Sequence, residues 1–256
     1  MGEANIKQRR RRAFLKQHPY CCFCGGTAVA STIDHVPSRQ MFMLRKRPKG
    51  LEVPACEHCN RATRQHEQVA AMLGRIFPNG RIPAEQDELV AIIKAVDNNN
   101  PGLLREMMPS REQTMRGAAA VSQLPGAAGV LNCSGPLVNN CIQKFGAKLG
   151  FALHYATTTR IVPKTGGVAI RWYSNYDAVT EGLPPELFRF LGPEQTLRQG
   201  SWSAGDQFNY AYAVDGTGAV AAYLATFRLS FAVLCWVNED ASGFGEVNDI
   251  HRPGEL

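Results

Sequence analysis

A chain of 256 residues with 45% hydrophobic and 20% charged side chains can bury a full core, which excludes a wholly disordered polymer. Its longest apolar run, Leu229 to Val237, contains Ser230 and is too short to span a bilayer, so no membrane partner is expected. The net charge of +6 is unevenly spread: thirteen Lys and Arg stand against four Asp and Glu through Arg64, and the remainder is net acidic, a distribution that suits a polyanionic partner.

The basic start, with Arg9 to Arg12 followed only by Ala13, Phe14 and Leu15, lacks the apolar core of an export signal, and a cytoplasmic protein is expected. Residues 5 to 17 read as a basic helix or arm that breaks at Pro19. Gly25 and Gly26 permit a tight reversal after Cys21 and Cys24. Thr27 to Ile33 reads as a strand ending at Asp34-His35, stopped by Pro37, and Leu51 to Val53 as its return strand. Between them lie an apolar anchor, Met41 to Leu44, and a basic loop, Arg45 to Gly50. Cys56 and Cys59 open a helix from Asn60 to Phe77, in which Val69, Met72, Leu73 and Ile76 recur at helical spacing and which Pro78, Asn79 and Gly80 end.

A second helix is predicted over Pro83–Val96 and a third from Leu103 to about Arg116. The Gly/Ala-rich segment from Gly117 to Gly135, with Pro125, marks a domain boundary. Leu137 to His154 reads as an amphipathic helix. Val168–Tyr173, Gln207–Val214, Ala219–Phe227 and Leu229–Val237 read as strands of a mostly antiparallel sheet, with Leu183–Leu191 as a short helix. Residues 1–80 therefore form a basic arm and metal-binding module, 81–125 a helical extension, and 126–256 an α/β C-terminal domain.

The most specific signal is a pair of Cys-x-x-Cys motifs, Cys21/Cys24 and Cys56/Cys59, separated by the 31 residues 25–55. Two intervening residues let both sulfurs of a pair turn onto one tetrahedral Zn²⁺, so a structural zinc is expected. Cys22, Cys133, Cys141 and Cys235 read as buried thiols. A four-thiolate site has no open position for substrate, so catalysis must come from elsewhere. Asp34 and His35 are the candidates, although an Asp and a His before Pro37 also suit a plain turn.

Taken together, Cys-x-x-Cys-Gly, then Asp34-His35-Val36-Pro37, then Val53-Pro54-Ala55-Cys56-x-x-Cys59-Asn60 resembles the HNH endonuclease family in its zinc-knuckle form, over residues 20 to 67. The resemblance implies an α+β fold: a treble-clef zinc ββα-metal module, then helices, then the C-terminal sheet domain. It implies His35 as the general base that activates water, with Asp34 and Asn60 holding a catalytic Mg²⁺ or Mn²⁺. It also implies metal-dependent hydrolysis of phosphodiester bonds in DNA; RNA stays open, because the chemistry does not use the 2′-hydroxyl. Histidine suits the base, having a pKa near neutrality, and a divalent ion suits the charge that develops on the phosphoryl oxygens. Two features depart from the family. Asn60 stands where many members have histidine, and Val36 to Ala55 holds no asparagine to position the loop.

Glu67, on the helix beyond Asn60, is a further candidate metal ligand or hydrogen-bond partner. Arg39, Arg45, Lys46, Arg47, Lys49, Arg61 and Arg64 are candidate phosphate contacts. In the C-terminal domain, alternation puts Phe208, Tyr210 and Tyr212 on one strand face, where core packing is favoured over base stacking. That domain is a candidate surface for a homodimer or a regulatory partner, and restriction or phage defence a candidate setting. The rival from another class is a non-catalytic zinc module that binds nucleic acid or protein; a weaker one is a redox protein using the dithiols.

Overall fold

The computed structural model describes residues 2–77, 82–124, 129–246 and 249–256. The helix stop expected at Pro78–Gly80 and the linker proline Pro125 lie outside the described residues. The fold mixes helix and sheet. A basic helix, α1 (Gly2–Gln17), leads through the first cysteine pair to a two-stranded antiparallel hairpin of β1 (Thr32–His35) and β2 (Glu52–Ala55). The first strand is shorter than expected, since Thr27 to Ser31 is irregular apart from a bridge between Tyr20 and Val29.

The helix expected over Asn60–Phe77 is two helices, α2 (Glu57–Ala62) and α3 (Arg64–Ile76), parted at Thr63. Then follow α4 (Pro83–Asn99), α5 (Leu103–Glu106) and α6 (Arg111–Gln123). The third predicted helix stops at Glu106, and a new one starts at Arg111, before the expected end near Arg116. Ser110 and Gln113 cap that new start reciprocally, a local signal for a helix that then runs into the Gly/Ala-rich stretch.

The longest helix, α7 (Pro136–Thr158), is where the fold joins. One side of it lies on β3 (Gly167–Ser174) and β9 (Phe231–Asn238), and the other meets α3 and β2. With both sides covered, every residue from Phe145 to Tyr155 is buried. Gly146 and Gly150, one turn apart, set its depth on the sheet. A Cβ at Gly146 would stand 2.9 Å from Ile170 Cγ2, and one at Gly150 2.7 Å from Val168 Cγ1, so only glycine permits this approach.

The remaining elements are α8 (Asn175–Thr180), α9 (Leu187–Phe190), β4 (Gln195–Thr196), β5 (Arg198–Gln199), β6 (Trp202–Ser203), β7 (Asn209–Val214), β8 (Val220–Phe227) and β10 (Ile250–His251). Six strands form one sheet in the order β10-β3-β9-β8-β7-β4, antiparallel throughout, as the strand patterning predicts. Phe208, just before β7, and Tyr210 and Tyr212 on it form a row of near-parallel rings. Phe208 is fully buried against Phe42 of the hairpin loop, the core role favoured for it. One cluster of buried side chains runs through all three expected segments, from Phe23 and Met72 through Val96 to Phe145 and Val233. Each such side chain taken out of water contributes about 1.5–3 kcal/mol, so the segments share their main source of stability.

Candidate functional site

The hairpin and the start of α2 bring the two cysteine pairs together. The sulfurs of Cys21, Cys24, Cys56 and Cys59 all lie within 4.8 Å of one another, and three of the four residues are buried. Four sulfur donors at that spacing fit a tetrahedral zinc ion with bonds of about 2.3 Å. Cys56 also caps α2, its sulfur accepting the Cys59 backbone N–H at 3.4 Å. The Cys59 thiol beside it holds Cys21 down to about 5, and the same contact pushes Cys59 up. Metal binding favours thiolate at all four positions. None of the eight cysteines forms a disulfide.

Strand pairing then decides where Asp34 and His35 point. Asp34 lies opposite Val53, which is fully buried, and His35 lies opposite Glu52. Directly opposed residues share a face of a hairpin, so Asp34 faces inward and His35 outward, with no bulge in the register between them. His35 Nε2 is 3.8 Å from Glu52 Oε1, and its side chain is about one third exposed. Burial, then the charges of Arg47 and Arg39, push the His35 pKa below its usual value despite Glu52, which favours the free base.

Inward, Asp34 meets three groups. Its Oδ1 accepts the His35 backbone N–H at 2.8 Å. The Asn60 amide, at the start of α2, faces both carboxylate oxygens at 3.3 Å. With nitrogen toward Asp34 the amide donates to the carboxylate. That orientation satisfies both groups; turned the other way, the amide oxygen would join the carboxylate in the kind of oxygen ligand set that a small divalent ion takes.

The third group was not foreseen: Lys148 of α7, 2% exposed, places Nζ 2.7 Å from Asp34 Oδ2 and 2.6 Å from Glu67 Oε1. Burial pulls the ammonium pKa down, but Glu67 and Asp34 outweigh it, and the net shift is upward. Glu67 Oε1 also accepts from Thr63 Oγ1 at 2.8 Å, so that oxygen is committed to protein partners. One sequence signal for Lys148 existed. It is the single charged residue in the run Phe145 to Leu153, which a solvent-facing lysine does not need.

The basic residues divide in two. Arg39, Arg45, Lys46, Lys49 and Arg64 are exposed and free to meet phosphate, while Arg61, also exposed, pairs with Glu57. Arg47 instead turns into the β1–β2 loop. Its Nε donates to Pro37 O at 2.7 Å, and its Nη atoms donate to Pro48 O at 2.9 Å, Gly50 O at 2.7 Å and Val36 O at 3.1 Å. Expected at phosphate, Arg47 is a loop staple, because a planar fork with five N–H donors can satisfy several converging carbonyls.

No helix of the described residues is long and apolar enough to cross a membrane. No protein-family model, curated protein or solved structure matches this chain.

Proposed function

We propose that this chain is a metal-dependent HNH-type endonuclease that hydrolyses phosphodiester bonds in DNA, built on a treble-clef zinc module. The observation that carries the reading is the meeting of the Asp34 carboxylate and the Asn60 amide, 3.3 Å apart, at the join of hairpin and helix that the four cysteines clamp. Asp34 and Asn60 would hold a Mg²⁺ or Mn²⁺ ion, which supplies stabilisation of charge on the phosphoryl oxygens. The chain's own residues do the rest. His35, held as free base, takes a proton from water as the water oxygen bonds to phosphorus; the phosphorus–oxygen bond to the leaving sugar breaks, and that oxygen is protonated from solvent. Because Asp34 and His35 leave β1 on opposite faces, the scissile phosphate must sit across the end of the strand. Arg39, Arg45, Lys46 and Lys49 line the approach with positive charge.

The second reading is a zinc module that binds nucleic acid without cutting it. The ion pair of Asp34 with buried Lys148 favours it, since a carboxylate so held is also a structural group. Plasmid incubated with zinc-loaded protein and Mg²⁺ or Mn²⁺ separates the two. Cleavage by the wild type that is lost in His35→Ala supports hydrolysis. Equal cleavage by both removes His35 from the mechanism, and none by either, with retained DNA binding, supports the second reading.

A further inference from the structure

Lys148 has no part in the hydrolysis as written, yet it is the most deeply buried charge near the site. Its ammonium sits between Asp34 Oδ2 and Glu67 Oε1, and the Phe23 ring closes another side with its centroid 5.5 Å from Nζ. Carboxylates brought from two elements, β1 and α3, onto one cation are the donor set of a hard metal ion. Here an ammonium takes that place. The placement is fixed from both ends. Thr63 holds the Glu67 carboxylate, and Gly146 and Gly150 set α7 at one depth on the sheet. Two residues on from Gly146, Lys148 is turned about 200° around the helix, away from the sheet and toward the hairpin.

We infer that Lys148 is a built-in counter-cation, which occupies the space between Asp34 and Glu67 that a metal ion would otherwise take and confines a divalent ion to the Asp34–Asn60 side. The inference rests on the reading of Asp34 and Asn60 as metal ligands. It follows from charge: two carboxylates and one ammonium leave a single negative charge, and a divalent ion placed among them would meet Lys148 at contact distance. Asp34 is then shared: Oδ2 meets Lys148, Oδ1 accepts the His35 backbone N–H, and the Asn60 amide stands 3.3 Å from both oxygens.

The test is Mn²⁺ binding, read from the electron paramagnetic resonance of the free ion, with zinc-loaded wild type, Lys148→Met and Lys148→Met/Glu67→Gln. Loss of the ammonium is expected to add a Mn²⁺ equivalent or to tighten binding by roughly tenfold or more, and Glu67→Gln is expected to reverse the gain. Unchanged or weaker binding in Lys148→Met overturns the inference. Binding by Lys148→Met but not by wild type would show that Lys148 blocks the space beside Glu67, but would overturn the confinement of an ion to the Asp34–Asn60 side together with the metal-dependent nuclease reading. Crystals of the wild type soaked in Mn²⁺ give the same answer without a variant. An ion beside Asp34 and Asn60 with Lys148 in place upholds the inference, and an ion between Asp34 and Glu67 with Lys148 displaced overturns it.

Discussion

Asp34 and Lys148, on a hairpin and a helix that sequence patterning assigns to different domains, meet at 2.7 Å inside the protein. The contact makes the cysteine-bound hairpin dependent on α7. A chain cut at residue 124 would leave Asp34 and Glu67 without their cation and would bare the side of α3 that meets α7. Leaving buried charge uncompensated costs about 3–5 kcal/mol, before the lost apolar burial is counted. The fragment 1–124 is therefore expected to show no cooperative thermal transition even with zinc, followed by circular dichroism. A cooperatively melting fragment would show that the hairpin and α3 are self-sufficient.

Arg47→Met should cost far more than a surface substitution. It removes charge-assisted hydrogen bonds to Pro37, Pro48 and Gly50, each worth about 1.5–3 kcal/mol when a charged group is involved, although water recovers part of the loss. A net loss of about 2–4 kcal/mol corresponds to a fall in Tm of about 5–10 °C in a chain of this size. Lys46→Met, at the adjacent exposed position, should stay within about 0.5 kcal/mol of wild type. Similar Tm values for the two variants would remove the staple role.

The contrast between those neighbours shows where sequence reading stops. Arg45, Lys46, Arg47 and Lys49 are one basic run, and nothing in their spacing says which guanidinium turns inward; the fold of the loop around it decides that. Lys148 is hidden for a related reason, because its partners lie on β1 and α3, far from it in sequence. What was legible is local. Cysteine spacing gave the sulfur cluster, helical periodicity gave α4 and α7, and alternation gave β3, β7, β8 and β9. The break at Thr63 was missed because helical periodicity continues through α3; Thr63 is fully buried and donates to Glu67, the same carboxylate that meets the Lys148 ammonium.

Zinc removal should loosen the site without touching Asp34, His35 or Asn60 directly. Cys56 joins the sulfur cluster and caps the helix that carries Asn60, so Cys56→Ser weakens both the clamp and its load. Elemental analysis should find one zinc per wild-type chain. In Cys56→Ser or after chelation, zinc is expected to fall and Tm to drop by about 10 °C or more, since structural zinc contributes to folding directly. Wild type that carries no zinc after expression in zinc-supplemented medium would remove the metal reading of the cluster.

The pH dependence of hydrolysis tests His35. Its pKa is lowered from the usual 6.5, chiefly by burial and then by Arg47, so a base-dependent rate should climb through an acid limb below 6.5 and be level above it. The sign for stability is the same. As pH falls the unfolded chain protonates first, so the contribution of this histidine is complete above 6.5 and is lost as pH falls through the depressed folded value. Removing the Arg47 charge should move the limb up toward 6.5, with burial holding it short of that value. His35→Ala should lower the rate by about 10²–10⁴-fold and abolish the limb, with little change in Tm because the side chain is partly exposed. A limb that persists unchanged in His35→Ala would assign the titrating base to another group and leave His35 as the cross-strand partner of Glu52 alone.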